Sequence, residues 1–141
     1  MVKAMDIMNA NVITIMKDED IYEAIRVMVL NNITGLPVLN ADETLAGIIT
    51  EKDVLRLLCE MDDRPGTVED YMTAEVVCFD QHDCLHDVAE SLAANPFRRV
   101  PILDRGRLVG IISRKDILRH IRELKGQEDI LEKDNLLEIL Y

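Results

Sequence analysis

The sequence predicts an α/β chain of the α+β kind: two β-α-β-β-α units packed sheet to sheet about a pseudo-two-fold axis. Three observations predict it. First, the chain repeats itself. Residues 6–39 align with 70–103 at a shift of 64; one residue is then lost in a turn, and Gly47-Ile48-Ile49-Thr50-Glu51-Lys52-Asp53-Val54-Leu55-Arg56 aligns with Gly110-Ile111-Ile112-Ser113-Arg114-Lys115-Asp116-Ile117-Leu118-Arg119 at 63. Second, each copy passes from a short β-branched run to an apolar stripe at i, i+3, i+4, i+7, i+8 and back to short apolar runs, the pattern of strand, helix and strand. Third, one unit alone has an apolar sheet face and too little to cover it, whereas two units cover each other.

The elements follow in order. Val12-Ile13-Thr14-Ile15 is a short β-branched run and predicts a strand. Asp20 is placed to cap a helix whose apolar stripe is Ile21, Ala24, Ile25, Met28 and Val29; the second copy offers Leu85, Val88, Ala89, Leu92 and Ala93. Leu36-Pro37-Val38-Leu39 is a strand opened by proline, where a missing N–H is tolerated. Asn40-Ala41-Asp42-Glu43, matched by Asp104-Arg105-Gly106, is a turn. Leu45 to Ile49 returns as a strand, and a second helix runs from Glu51 to about Leu58. The predicted organisation is a first repeat at 1–59, a polar linker at 60–67, a second repeat at 68–125 and an acidic amphipathic helix at 126–141, with Ile130, Leu131, Leu136, Leu137 and Leu140 on its apolar side.

Composition narrows the function. The net charge is −11, which repels nucleic-acid phosphates, and five aromatic residues offer little for base stacking. The charge is uneven: Arg98 to Lys125 holds nine Lys or Arg against three acids, a local patch suited to a small anion. No apolar run approaches the ~18 residues of a membrane span, and the N-terminus lacks the apolar core of a signal peptide. Three cysteines, Cys59, Cys78 and Cys84, form no even framework and read as reduced thiols, so a cytoplasmic protein is expected. With no Gly-rich phosphate loop, nucleophile elbow or paired general acid and base, no enzyme is expected.

At Gly47 to Asp53 and its twin Gly110 to Asp116 the sequence resembles the CBS-domain family, whose signature is glycine, two apolar residues, Thr or Ser, two variable residues and Asp. Leu36-Pro37-Val38 and Val100-Pro101-Ile102 match the family's apolar-Pro-apolar strand, and Asp6-Ile7-Met8 and Asp70-Tyr71-Met72 its opening segment. Four motifs in order, twice, cover residues 1 to about 122. The resemblance implies a stand-alone CBS-domain pair, or Bateman module: a regulatory chain with no required cofactor that binds AMP, ADP, ATP or S-adenosylmethionine in two clefts, forms a homodimer and modulates an unidentified protein partner. The competing reading is an assembly module with empty clefts.

The site residues are likewise implied by the resemblance. One cleft combines Met8, Ile13, Ile33 and Thr34 with Arg99, Ile111, Ser113 and Asp116. The other combines Met72, Val77, Phe97 and Arg98 with Gly35, Ile48, Thr50 and Asp53. Asp53 and Asp116 are expected to take the ribose hydroxyls, and Thr50 and Ser113 the phosphate region. Arg99 stands at the family's phosphate position, where the first copy has Gly35, so the Arg99 cleft is expected to bind more tightly. The residues themselves leave a plainer alternative open. Thr50/Asp53 and Ser113/Asp116 also have capping-box spacing and need no ligand to explain them. Cys78, His82, Cys84 and His86 lack zinc-site spacing, and no metal is expected there.

Overall fold

In the computed structural model, residues 1–60 and 66–131 are described. The helices are α1 (Ala4–Ile7), α2 (Ile21–Asn31), α3 (Glu51–Val54), α4 (Arg56–Cys59), α5 (Val68–Tyr71), α6 (Leu85–Ala94) and α7 (Arg114–Leu131). The strands are β1 (Ile15–Met16), β2 (Gly35–Leu39), β3 (Leu45–Thr50), β4 (Phe79–Asp80), β5 (Arg99–Asp104) and β6 (Arg107–Ser113). They form two three-stranded sheets of identical topology, β1-β2-β3 and β4-β5-β6, each with a parallel first pair and an antiparallel second pair. Of the predicted linker, residues 61–65 lie outside the described residues, as do Leu136, Leu137 and Leu140 of the predicted tail helix.

Local chemistry explains the elements. Asp20 accepts from the Tyr22 N–H at 2.8 Å and starts α2, which ends at Asn32 in the left-handed conformation. Cys84 stands at the matching position before α6 and makes no side-chain cap bond. The stripes are buried at Ile21, Ala24 and Met28, and at Leu85, Val88 and Leu92. Val29, placed on the stripe from its spacing, is 72% exposed, because the stripe drifts round the helix before α2 stops two residues later. The first strand is also shorter than expected: only Ile15 and Met16 pair with β2, and residues 12–14 approach it unpaired. The helix after β3 breaks at Leu55 into α3 and α4, whereas its counterpart α7 runs unbroken through Gly126 to Leu131, with no boundary between repeat and tail.

The two units exchange their lead-in segments. Asn9 and Ile111 trade backbone bonds at 2.9 and 3.0 Å, and Thr73 and Ile48 at 2.9 and 2.8 Å. Lys3 bridges Cys84 as Thr67 bridges Asp20. Each bridge is the other's image under the repeat. The buried clusters follow the same exchange: Val68 joins Ile15, Ile21, Leu36, Val38 and Ile49 under the first sheet, while Ala4 joins Leu85, Val88, Val100, Ile102 and Ile112 under the second. Glycine at 47 and 110 allows the crossing, since a Cβ would strike the Thr73 carbonyl at the first position and the Met8 side chain at the second. Two contacts join positions that are each other's own counterpart, Thr44 with Arg107 and Gly35 with Arg99, and so mark the pseudo-two-fold axis.

Candidate functional site

Both Thr/Ser–Asp pairs stand where a strand hands over to a helix. The Thr50 N–H and Oγ1 donate to Asp53 Oδ2 at 2.9 and 3.1 Å; the Ser113 N–H and Oγ donate to Asp116 Oδ2 at 2.8 and 2.9 Å. The capping box read from spacing is present, and it uses one carboxylate oxygen of each aspartate. The second oxygens differ. Arg119 Nη1 donates to Asp116 Oδ1 at 2.6 Å, whereas Asp53 Oδ1 has no partner among the described residues. The counterpart of Arg119 is Arg56, whose guanidinium lies 5.2 Å from the centre of the Tyr71 ring. Tyr71 corresponds to Ile7, which offers no ring; Arg119 meets the carboxylate of its aspartate, whereas Arg56 lies at the ring and its Nε donates to the Asp53 main-chain carbonyl at 3.4 Å.

Arg99 is rooted on β5 opposite Ser113, and its Nη2 donates to Thr34 Oγ1 at 2.6 Å. Its guanidinium occupies the space a Cβ at Gly35 would need, and Gly35 is the β2 residue opposite Thr50. Burial pushes the guanidinium below its ordinary range; Arg98 adds to this and Glu51 opposes it. Arg98 stands one residue before β5, with its side chain 66% exposed and Nη1 3.8 Å from Glu51. Thr34 and Arg98, matched positions, also hold the helix starts: the Thr34 carbonyl accepts from the Glu51 N–H at 2.8 Å and that of Arg98 from the Arg114 N–H at 3.0 Å.

Among the residues assigned to the Asp116 cleft, the structure thus joins Thr34, Arg99, Ser113 and Asp116 through contacts and strand register, and sets Met8 against Gly110 beside Ile111. On the Asp53 side it joins Gly35, Thr50 and Asp53 and sets Met72 against Gly47 beside Ile48. The apolar walls are less regular. Ile13 and Val77 are 39% and 47% exposed, while Ile33 and Phe97 pack partly against the cores under the first and second sheets. Ile48 is buried where its counterpart Ile111 is half-exposed. A groove of about 250 Å³ opens elsewhere, on the alternate face of the lead-in segment at Ala10, Val12 and Thr14, and meets none of these side chains.

Arg119, Arg56, Tyr71 and Glu51 are the site neighbours that motif reading passed over. The i,i+3 spacing of each arginine from its aspartate was the available signal. Cys78, His82 and His86 are exposed, Cys84 is half-buried, and no three His, Cys, Asp or Glu side chains converge on one point among the described residues. No helix of the described residues is long and apolar enough to cross a membrane.

The CBS domain family model matches residues 4–60 and again 68–123. A CBS-pair protein from Arabidopsis thaliana, solved with AMP, superposes with a TM-score of 0.82 at 27% identity, over 89% of this chain and 99% of that one. A CBS domain pair solved with 5′-methylthioadenosine and S-adenosyl-L-methionine gives 0.77 at 28%, over 86% and 97%. Hypoxic response protein I, solved with two coordinated zinc ions, gives 0.75 at 30%, over 85% and 99%. Two curated relatives from Methanocaldococcus jannaschii, an uncharacterized protein and an inosine-5′-monophosphate dehydrogenase, are 40% and 39% identical over 81% and 90% of this chain, which spans only 41% and 25% of their lengths.

Proposed function

The chain belongs to the CBS-domain family, and from that premise we propose that it is a regulatory module that binds an adenine nucleotide in two clefts and transmits occupancy to a protein partner, with no catalysis of its own. One observation carries the reading: a hydroxyl and a carboxylate stand together at two matched strand-to-helix junctions, with one half-buried arginine between them. A helix start with a hydroxyl is suited to phosphate, and a carboxylate oxygen not used in the cap can accept from ribose hydroxyls. Met8, Ile13, Ile33 and Ile111 would line the base in one cleft, and Met72, Val77, Phe97 and Ile48 in the other. The relatives solved with AMP and with S-adenosyl-L-methionine support an adenosyl ligand. The arginines favour a phosphate over the cationic sulfonium.

Calorimetry of the full chain against AMP, ADP, ATP, S-adenosylmethionine and adenosine tests this. AMP or ATP is expected to bind more tightly than S-adenosylmethionine. An absence of binding by every member of the panel overturns the reading and leaves the assembly module.

That second reading rests on the helices following the two motifs. Leu55 and Leu58 are 68% and 82% exposed, and their counterparts Leu118 and Ile121 are 64% and 56% exposed. Leu57 and Ile117, on the same helices, pack inward against the first and second core. The four exposed side chains form matched apolar patches that a second copy would cover, so a homodimer is part of either reading.

A further inference from the structure

Resting on that nucleotide reading, we propose that Arg99 serves both clefts and makes their occupancy mutually antagonistic: a phosphate seated at one cap draws the guanidinium away from the other. The register carries the argument. The root of Arg99 lies opposite Ser113, the cap of one cleft, while its head lies over Gly35, the residue opposite Thr50, the cap of the other. Gly35 and Arg99 are counterparts in the repeat, so the side chain crosses the axis and stands on its own image. A second arginine at position 35 has no room, since even a Cβ there collides with the first guanidinium. The chain therefore has one cation where its symmetry has two positions.

The neighbours do not supply a second. Arg98 is exposed and its charge is already faced by Glu51, 3.8 Å from its Nη1. Thr34, the present partner of the guanidinium, is neutral and exposed, so a phosphate can replace it. One guanidinium has five donors but a single charge, and two phosphates drawn to it from opposite sides also repel each other. The first nucleotide takes the arginine, and the second binds a cleft that has lost its cation and gained a nearby anion. A ligand without phosphate leaves the two clefts independent.

The experiment is a set of calorimetric titrations of the full chain. Asp53→Asn and Asp116→Asn each disable one ribose contact while keeping an acceptor for the cap, so each variant reports one cleft alone. The expected result is that the second AMP binds the unaltered chain roughly ten- to a hundred-fold more weakly than the same cleft binds it in isolation, the range of a charge-assisted bond. Adenosine isotherms should equal the sum of the two single-cleft isotherms, and Arg99→Met should make the AMP isotherm do the same. An unaltered chain whose AMP isotherm is already that sum overturns the sharing and leaves the nucleotide reading intact. No AMP binding at all overturns the nucleotide reading instead. Should the aspartate variants fail to fold, the unaltered chain still decides: the two AMP steps must lie further apart than the two adenosine steps, and equal spacing refutes the proposal.

Discussion

Arg119→Gln should tighten adenosine binding, although it removes a positive charge from the rim of the proposed nucleotide cleft. Asp116 has two carboxylate oxygens. Oδ2 is committed to the Ser113 cap and Oδ1 to Arg119 at 2.6 Å, so a ribose must displace the arginine before it can use that oxygen. The arginine side chain is 66% exposed and the pair is i,i+3 on one helix, which limits its worth to about 0.3–1 kcal/mol. Releasing Oδ1 should therefore raise adenosine affinity at this cleft roughly two- to five-fold. The Asp53 cleft needs no such release, because Tyr71 already holds Arg56. It follows that the two clefts reverse their order with the ligand. Adenosine should be lost more through Asp53→Asn, whose oxygen is open, and AMP more through Asp116→Asn, because the phosphate calls on Arg99, whose strand partner is Ser113. Calorimetry of Arg119→Gln with adenosine is the direct assay, with thermal melting to establish that the fold is intact. Weaker adenosine binding by Arg119→Gln would refute the reasoning, since it would make Arg119 a ligand contact and not a competitor.

Two further predictions concern assembly and metal. Light scattering should find a dimer, and the pair Leu58→Lys and Ile121→Lys should return it to monomer without lowering the melting temperature of the single chain; a monomer at high micromolar concentration in the unaltered protein ends the idea. Elemental analysis should find no stoichiometric zinc, because Cys78, His82, Cys84 and His86 do not converge. About one equivalent per chain, lost on Cys84→Ser, would contradict this.

The parts of the fold legible in the sequence are those that local patterns encode. The buried stripe residues, the Asp20 cap and the paired capping boxes follow from spacing and residue type, and the repeat multiplies each signal by two. The prolines do not open their strands as expected, since Pro37 and Pro101 stand third in β2 and β5, the middle strands of their sheets. What was not legible depends on partners distant in the chain. The α1 and α5 helices have four residues each, and nothing in Ala4–Ile7 or Val68–Tyr71 says which sheet they will cover. Which of Leu57 and Leu58 faces the core is set by packing against the first sheet, and the matching positions His120 and Ile121 of α7 divide the same way. The site divides in the same way. Thr50, Asp53, Ser113 and Asp116 are local pairs and could be read as such. The crossing of Arg99 to Gly35 and the hold of Tyr71 on Arg56 join residues brought together only by the fold.

The exchanged lead-in segments impose an order on folding. Ala4 is fully buried in a cluster whose strands end at Ser113, so the first turn of the chain has nowhere to settle until more than a hundred later residues have been synthesised. At about 5–20 residues per second the N-terminus waits several seconds on the ribosome with its apolar side chains uncovered. The first sheet is delayed less, since Val68 follows it by fewer than twenty residues. Formation should therefore run from the first half to the second, and closure of the Asn9–Ile111 bridge, a contact of very long sequence separation, should be its slowest step.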